Sequence, residues 1–474
     1  MGVSTQHEEY SEALADWQIC RDVIAGQRAM HKAGERHLPK LIDETDAMYK
    51  ARLKRSNFFN GSWRTVSGML GLMWRKDPKQ EIPAAIKPHT ADVTMSGKSL
   101  ETLAKNVCFE VLATGRVGIM VDHPRVDNVV GLTRADQERI GLRPTLQLYE
   151  AESIINWEYR TIRNATTLAM VVLKECARIR TDEFTFKEED RYRVLDLNPE
   201  AGNTYRVRVF KVDEKAKKDV LLEEFVPLMN GQPLDFIPFK IVGTEGGDSD
   251  CDDPALIDLF TTNIALYQVN SDRRHGLHFT GLPLLFTAGI QLKEGDNIVV
   301  GSAAALSASD PNAKAMYVEF QGKGLGELKD YSMELKQEMA VLGARMLADE
   351  ARQVETLGAT IIKRTGENSI LASIAGSVSE AMEWALGVFS RWAGADGKVV
   401  YQINRDFMPM PLDAQQLTAL VGSWQSGALS DVELYDRLQK GEIIDAEKPF
   451  EMHQAEVEMQ APPMPAPAPQ QAAA

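Results

Sequence analysis

Cysteine is scarce in this chain of 474 residues, and the few cysteines are scattered along it. They are Cys20, Cys108, Cys176 and Cys251. No two of them form a Cys-x-x-Cys pair. This argues against a zinc site and against a disulfide framework, and it fits a reducing compartment.

Long apolar runs are lacking as well. The longest, such as residues 168–173, are far shorter than the roughly 20 residues that a membrane-spanning helix needs. The opening sequence MGVSTQHEEYSEAL has no basic patch followed by an apolar stretch, which is the pattern of a secretory signal. We therefore expect a soluble protein that is synthesised in the cytoplasm and has no membrane partner.

The common catalytic signatures are also missing. The chain has no Gly-x-Ser-x-Gly, no His-Glu-x-x-His, no P-loop and no glycine-rich dinucleotide loop between a strand and a helix. His275 and His278 have the i, i+3 spacing of a metal pair, but no third ligand is near them in sequence. We therefore predict no catalytic residue, no cofactor and no metal site, and we do not expect an enzyme.

One acidic cluster leaves an alternative open. Residues 246–253 read GGDSDCDD, and the carboxylates of this stretch could bind a divalent cation, although the terminal glutamate of a calcium loop is absent. An exposed, solvated loop explains the same residues. A metal-dependent hydrolase that uses this cluster is the enzymatic alternative. The cluster consists of Asp248, Asp250, Asp252 and Asp253.

The net charge is −15, from 53 basic and 68 acidic residues. A protein that grips DNA tightly is usually basic, because it must neutralise phosphates. A protein that must let DNA slide past has the opposite need, and simple solubility also accounts for an acidic surface. The charge alone does not separate these interpretations.

Hydrophobic periodicity divides the chain into helical and strand-forming regions, which predicts an α+β fold. The first ninety residues are typical of helices, and residues 144–244 mostly alternate apolar and polar side chains. The predicted helices are 41–55, 60–75, 97–112, 254–275, 325–350, 369–393, 414–425 and 431–439. The predicted strands are 116–122, 145–149, 168–175, 192–196, 205–212, 220–225, 237–242, 284–287, 297–300, 315–320 and 399–404.

Two of these helices carry long apolar stripes, which suit a core or an interface between subunits. The first stripe consists of Leu328, Tyr331, Leu335, Met339, Leu342 and Met346. The second consists of Leu371, Ile374, Val378, Met382, Ala385, Phe389 and Trp392. Between the two helices, residues 351–367 have no sustained period and are predicted to form a loop. Loops held by rigid elements often carry function.

Three segments, in this order along the chain, resemble the phage portal family. They are LPKLIDETDAMYKARLKRSNFFNGSWRTVSGMLGLMWRKDP at 38–78, DPALIDLFTTNIALYQVNSDRRHGLHFTGLPLLFTAG at 253–289 and LSDVELYDRLQKGEII at 429–444. The first looks like the start of a portal-like phage family whose domain was formerly unassigned, and the resemblance covers about residues 35–450.

The resemblance implies a portal fold: a helical and α+β wing, a two-helix stem, a small α/β clip, a long helix and a helical crown. The wing would comprise 1–90 and 91–252, the stem helices 253–276 and 325–350, and the clip 277–324. A tunnel loop would follow at 351–368, the long helix at 369–396, the crown at 397–450 and a disordered Pro/Ala-rich tail at 451–474.

The family's role implies a homo-oligomeric ring, typically a dodecamer, at a capsid vertex of the virion. Double-stranded DNA would pass through it without sequence recognition during packaging and ejection. The partners implied are the terminase large subunit, the major capsid protein and a head-tail adaptor. We expect Arg352, Gln353, Lys363 and Arg364 of the tunnel loop to contact DNA. A minor capsid or scaffolding protein without a channel is the non-enzymatic alternative.

Overall fold

The computed structural model describes the chain in two compact units, Met1–Arg405 and Asp406–Ala474. The described residues are 2–124, 139, 141–213, 218–244, 246, 250–280, 284–288, 312–318, 324–343, 357–395, 397–405, 407, 414–440, 443–444 and 448–460. Helices and sheets share the first unit, so the predicted α+β class is confirmed.

Four helices open the first unit: α1 (Glu8–Ala25), α2 (Gln27–Ala33), α3 (Asp46–Arg55) and α4 (Gly61–Met73). Side-chain caps fix where the last two begin. The Thr45 side chain accepts a hydrogen bond from the Met48 amide, and Asn60 accepts one from the Trp63 amide. The helix predicted from residue 41 therefore begins five residues later. Asp43 has φ +63°, which is incompatible with a right-handed helix at that point.

A small sheet lies behind the next helix, α5 (Leu100–Thr114), which is buried along most of its length. Gly115 ends α5 with φ +75°, a conformation that favours glycine. Strand β2 (Arg116–Asp122) follows at once. It forms the centre of a three-stranded antiparallel sheet, between β11 (Phe239–Gly243) and β3 (Thr145–Glu150).

A second sheet is an antiparallel meander of five strands in chain order. They are β4 (Ile154–Ile162), β5 (Ala165–Arg180), β6 (Phe186–Asn198), β7 (Thr204–Asp213) and β8 (Lys218–Phe225). Four of the five were predicted, though shorter than observed, and β4 was missed. The hairpin of β5 and β6 extends beyond the core, so Phe184 at its tip is 84% exposed.

The amino-terminal segment touches both edges of this five-stranded sheet. The His7 amide donates to the Ile155 carbonyl on β4 at 2.9 Å, and the Asn156 side chain donates to the Thr5 carbonyl. At the opposite edge, the Val3 amide donates to Asp219 Oδ2 on β8 at 2.7 Å. Five residues reach at most about 18 Å when fully extended, so the two edges curl toward each other.

The region between the sheets and the end of the first unit is mostly helical. It contains α6 (Ile257–Thr280), a hairpin of β12 (Leu284–Ala288) and β13 (Lys314–Val318), then α7 (Gly324–Leu342) and α8 (Leu357–Trp392). The predicted helices 254–275 and 325–350 correspond to α6 and α7. Residues 344–350 and the predicted strand 297–300 lie outside the described residues.

The loop predicted over residues 351–367 is wrong in its second part, because α8 begins at Leu357. The sequence there lacks a clear period and contains Gly358 and Gly366. Extending an existing helix is far less costly than nucleating a new one. We infer that the strongly apolar later half of α8 supports this extension. Residues 351–356 lie outside the described residues.

Strand β14 (Val400–Gln402) pairs with β1 (Lys79–Glu81), so residues 397–405 belong to the first unit rather than to the predicted crown. The second unit contains α9 (Ala414–Gln425), α10 (Asp431–Lys440) and α11 (Phe450–Gln460). The prediction of a disordered tail from residue 451 is therefore wrong up to residue 460. The Pro/Ala-rich stretch itself begins after α11, outside the described residues.

Candidate functional site

The helices α6 and α7 form an antiparallel pair, which we call the helix pair. Near the end of α6, Gly276 lies against Leu325 at the start of α7: a Cβ at Gly276 would be 2.6 Å from Leu325 Cδ2. At the other end, Gly343 lies beside Leu256 and Leu259. The hairpin β12–β13 connects the two helices. By its rise per residue, α6 is about 36 Å long.

Buried hydrogen bonds fasten α6 to the amino-terminal helices. Asn263 is fully buried; its side chain donates to the Phe59 carbonyl and accepts from the backbone and hydroxyl of Ser62. One turn further on, the Tyr267 hydroxyl is 2.8 Å from the Ser56 hydroxyl. Because buried polar groups are costly without a partner, these bonds fix the position of α6 against the amino-terminal helices.

The outer helix of the pair, α7, leaves much of its apolar surface uncovered. Leu335 and Met339 are 4% and 3% exposed, whereas Tyr331 is 48% and Val341 52% exposed. Leu342 is also exposed. The predicted stripe on this helix is therefore only partly used in the fold of one chain. The remainder is an apolar strip suited to contact with another protein surface.

The hairpin at the tip of the pair continues this apolar character. Phe286 on β12 and Met316 on β13 face each other directly across the strands, and each is 49% exposed. A partner that covers Phe286 and Met316 would bury this apolar surface, which stabilises association.

The structure places only two of the four predicted DNA-contacting residues. Lys363 and Arg364 lie in the first turns of α8, in residues that were predicted to form a loop. Arg352 and Gln353 lie outside the described residues. The four are therefore not brought together as a described site, and their predicted contact with DNA stays a prediction.

The acidic cluster is occupied by structural contacts. Asp252 accepts hydrogen bonds from the amide and the hydroxyl of Thr244, at 2.6 and 2.7 Å. The Asp250 carbonyl accepts from the guanidinium of Arg116, which is 1% exposed and lies over the Trp157 ring. Burial lowers the pKa of this arginine. The described part of the cluster thus covers a buried cation, and Asp248 lies outside the described residues.

No group of metal-ligating side chains comes together among the residues that the structure describes, so the cluster offers no assembled metal site there. The pair His275 and His278 was not predicted to be a metal site. The pKa of His275 is lowered by burial and by the nearby cations Arg55 and Arg52. A neighbourhood of cations disfavours binding of a metal ion at His275.

A groove of about 890 Å³ lies in the first unit between α8 and the segment that contains β14. The hydroxyl of Ser379 in its wall donates to the Ala375 carbonyl and accepts from the Ile403 amide, so it is not poised as a nucleophile. The groove carries charges of both signs. Its charged lining residues are Lys240, Glu380, Glu383, Arg391 and Arg405.

Sequence reasoning missed a cluster of basic residues where the carboxyl-terminal ends of α3 and α6 meet. The guanidinium of Arg274 reaches the Arg55 carbonyl at 3.5 Å, although the two residues are 219 apart in sequence. The runs KARLKR and RRH contain these residues, but nothing in the sequence indicates that they meet.

Among the described helices, none is long and apolar enough to cross a membrane.

Comparison with known proteins gives one family match. Residues 255–393, which include α6, the hairpin, α7 and α8, match the family described as a domain of unknown function, DUF4055. The match covers less than a third of the chain. No curated protein matches.

Two solved structures are similar over most of the chain at low identity. One is from the neck of an empty GTA particle computed with C6 symmetry, at a TM-score of 0.39 and 10% identity, over 88% of this chain and 99% of that chain. The other is from the neck of a native GTA particle computed with C12 symmetry, at a TM-score of 0.35 and 10% identity, over 80% and 89%. Both TM-scores lie below the range that indicates a common fold.

Proposed function

We propose that this chain is a portal subunit, which forms a closed ring at a capsid vertex and passes double-stranded DNA during packaging and ejection. One observation carries the proposal: the helix pair and its hairpin precede α8, a helix of 36 residues, in the chain order, after an α+β region and before a small helical unit. This is the element order that the family resemblance implies.

The uncovered strip on α7 supports assembly with other copies. A ring requires two different surfaces on each subunit, so that each copy contacts the next in the same way and the rotation closes. Tyr331 and Val341 are each about half exposed in the single chain, and such a contact would cover this exposed surface. Burial of apolar area at about 25 cal/mol per Å² stabilises association.

The ring would contact three other proteins of the particle: the terminase large subunit, the major capsid protein and a head-tail adaptor. We also propose that residues 351–367 reach DNA, through Arg352, Gln353, Lys363 and Arg364. Replacing the three basic residues by glutamine should leave ring assembly intact and impair DNA packaging or retention. Unchanged packaging would remove this part of the proposal.

Electron microscopy of the purified full chain, combined with native mass measurement, tests the main proposal. We expect rings, typically dodecamers, with a central hole wide enough for a double helix. Monomers, or rings with a blocked centre, would contradict it. Oligomers without a channel would favour a minor capsid or scaffolding protein. The hydrolase alternative is not supported, since Asp252 and the Asp250 carbonyl are occupied by structural hydrogen bonds.

A further inference from the structure

Arg55 of α3 and Arg274 of α6 meet, and we call the basic residues along the two helices around this contact the basic surface. They are Lys50, Lys54 and Arg55 on α3 and Arg273 and Arg274 on α6. Lys50, Lys54 and Arg274 are exposed, and the other two are half-buried. The contact between the Arg274 guanidinium and the Arg55 carbonyl holds the two helices' contributions together.

The nearby carboxylates are already used by other cations. Glu44 pairs with Arg52 at 2.9 Å, and both side chains are almost fully buried. Asp46 pairs with Lys40 at 2.7 Å, and Asp272 lies 3.8 Å from Arg52. Among the described residues, no ion pair within 4 Å involves Arg55, Arg273 or Arg274, whereas Lys50 lies close enough to Asp46 to help lower the pKa of that carboxyl, after the larger effect of Lys40. The surface therefore has excess positive charge.

The helix dipole accounts for the basic residues at the end of α3 but not for those on α6. Cations in the last turn of a helix are stabilised by the helix dipole, and this accounts for Lys54 and Arg55 on α3. Arg273 and Arg274 lie about two turns before the end of α6 at Thr280, where the dipole gives little stabilisation. The proximity of Arg274 to Arg55 brings two like charges together, and an anionic partner would relieve their repulsion.

The positive charge of this surface contrasts with the chain as a whole, whose net charge is −15. The buried Nε of Arg55 has no hydrogen-bond acceptor among the described residues. Guanidinium groups match the geometry of phosphate oxygens and can bind two of them at once. Duplex DNA presents one negative charge per about 1.7 Å of its axis, so it can engage several such cations without any sequence-specific contact.

We propose that the basic surface binds the phosphate backbone of duplex DNA without base recognition. This inference rests on the proposed function, because the basic surface would hold the DNA that the ring conducts. It differs from the contact expected of residues 351–367, since it uses α3 and α6 alone. A second copy of this chain, whose net charge is −15, is the competing partner, and the test distinguishes it.

The test compares two charge-matched variants of the full chain in binding to a short labelled duplex by fluorescence anisotropy at several salt concentrations. The first is Arg273→Gln with Arg274→Gln. The control is Arg178→Gln with Arg180→Gln, which removes two exposed arginines near the tip of the β5–β6 hairpin. We expect the first variant to bind about tenfold more weakly at low salt, with a salt slope smaller by about 1.8, and the control to bind as the parent does.

Equal weakening in both variants would overturn the proposal, because it would show a general effect of net charge, and so would unchanged binding in the first. Loss of rings in the first variant alone would also overturn it and identify the surface as an interface between copies. If the parent forms no rings but the basic surface still determines DNA binding, the proposed function fails and this inference stands. Lys50→Gln with Lys54→Gln tests the same surface if the arginine variant does not fold.

Discussion

Asn263 on α6 joins the helix pair to the start of α4 by accepting hydrogen bonds from both the amide and the hydroxyl of Ser62. Its own amide group donates to the Phe59 carbonyl at 2.9 Å. A single buried side chain therefore satisfies polar groups on a segment 201 residues away. This contact therefore helps to hold α6 against α4.

Replacing Asn263 with alanine should lower the free energy of unfolding by about 2–4 kcal/mol, because it leaves buried polar groups of Ser62 and Phe59 without partners. Chemical denaturation measures this change. The matched control is Asn57→Ala at an exposed position, which should change stability by less than about 0.5 kcal/mol. Equal effects of the two variants would contradict the structural role of Asn263.

Gly118 on β2 should tolerate no larger side chain. A Cβ at this position would lie 2.2 Å from Cζ of Phe239 and 3.0 Å from Cδ1 of Ile154. We expect Gly118→Val to destabilise the protein by about 3 kcal/mol or more through overpacking, as measured by thermal or chemical unfolding.

The control for this prediction is Gly71→Ala. Gly71 lies within α4 and has open space around it, so the substitution should raise stability by about 0.5–1 kcal/mol.

A second substitution locates the clash at Gly118. If Phe239→Leu partly restores the stability of Gly118→Ala, the clash is with the Phe239 ring. A stable Gly118→Val protein would contradict the prediction and show that Phe239 and Ile154 can move away from position 118.

A carboxylate on the uncovered strip of α7 should prevent assembly without unfolding the chain. Val341→Glu places a charge on a surface that we expect to be buried between copies, and desolvating it would be costly. Native mass should shift to monomers, while circular dichroism shows that the chain keeps its helix and strand content. Glu334→Gln, at an exposed polar position of the same helix, is the control and should assemble normally.

The stability of the first unit should fall as the pH drops below the ordinary histidine value of about 6.5. Burial lowers the pKa of His123, whose ring stacks on Trp392 at 5.6 Å between centroids. A depressed pKa means that the unfolded chain binds a proton first, so the stabilisation present at neutral pH is lost on acidification.

His123→Phe keeps an aromatic stack but removes the titrating group. The difference in melting temperature between this variant and the parent should therefore grow in favour of the variant between neutral pH and pH about 5. A constant difference over that range would exclude His123 as a source of the acid sensitivity.

Local patterns were enough to predict the strongly periodic elements. Alternation along β5 to β8 and the apolar spacing of α6 and α7 reflect which faces are buried, and the structure buries Leu335 and Met339 as the pattern requires. The pattern could not separate a core position from an interface position, because Tyr331 has the same spacing and is half-exposed. An uncovered apolar residue and a buried one look alike in one sequence.

Other errors have different causes. β4 alternates Ile155, Trp157 and Tyr159 with polar residues, so the signal was present, although bulges interrupt its pairing with β5. The first turns of α8 and the whole of α11 lack an apolar stripe, so periodicity gave no reason to predict them. Contacts such as Arg55 with Arg274 depend on how distant helices pack, which no local pattern encodes.

The attachment of residues 2–7 to both outer strands of the five-stranded sheet has a practical consequence for handling the protein. Those residues shield backbone groups of β4 and hold the side chain of Asp219 on β8. Trimming them, or fusing a bulky purification tag there, would expose strand edges that can pair with foreign strands and promote aggregation. A tag after α11 would avoid this hazard.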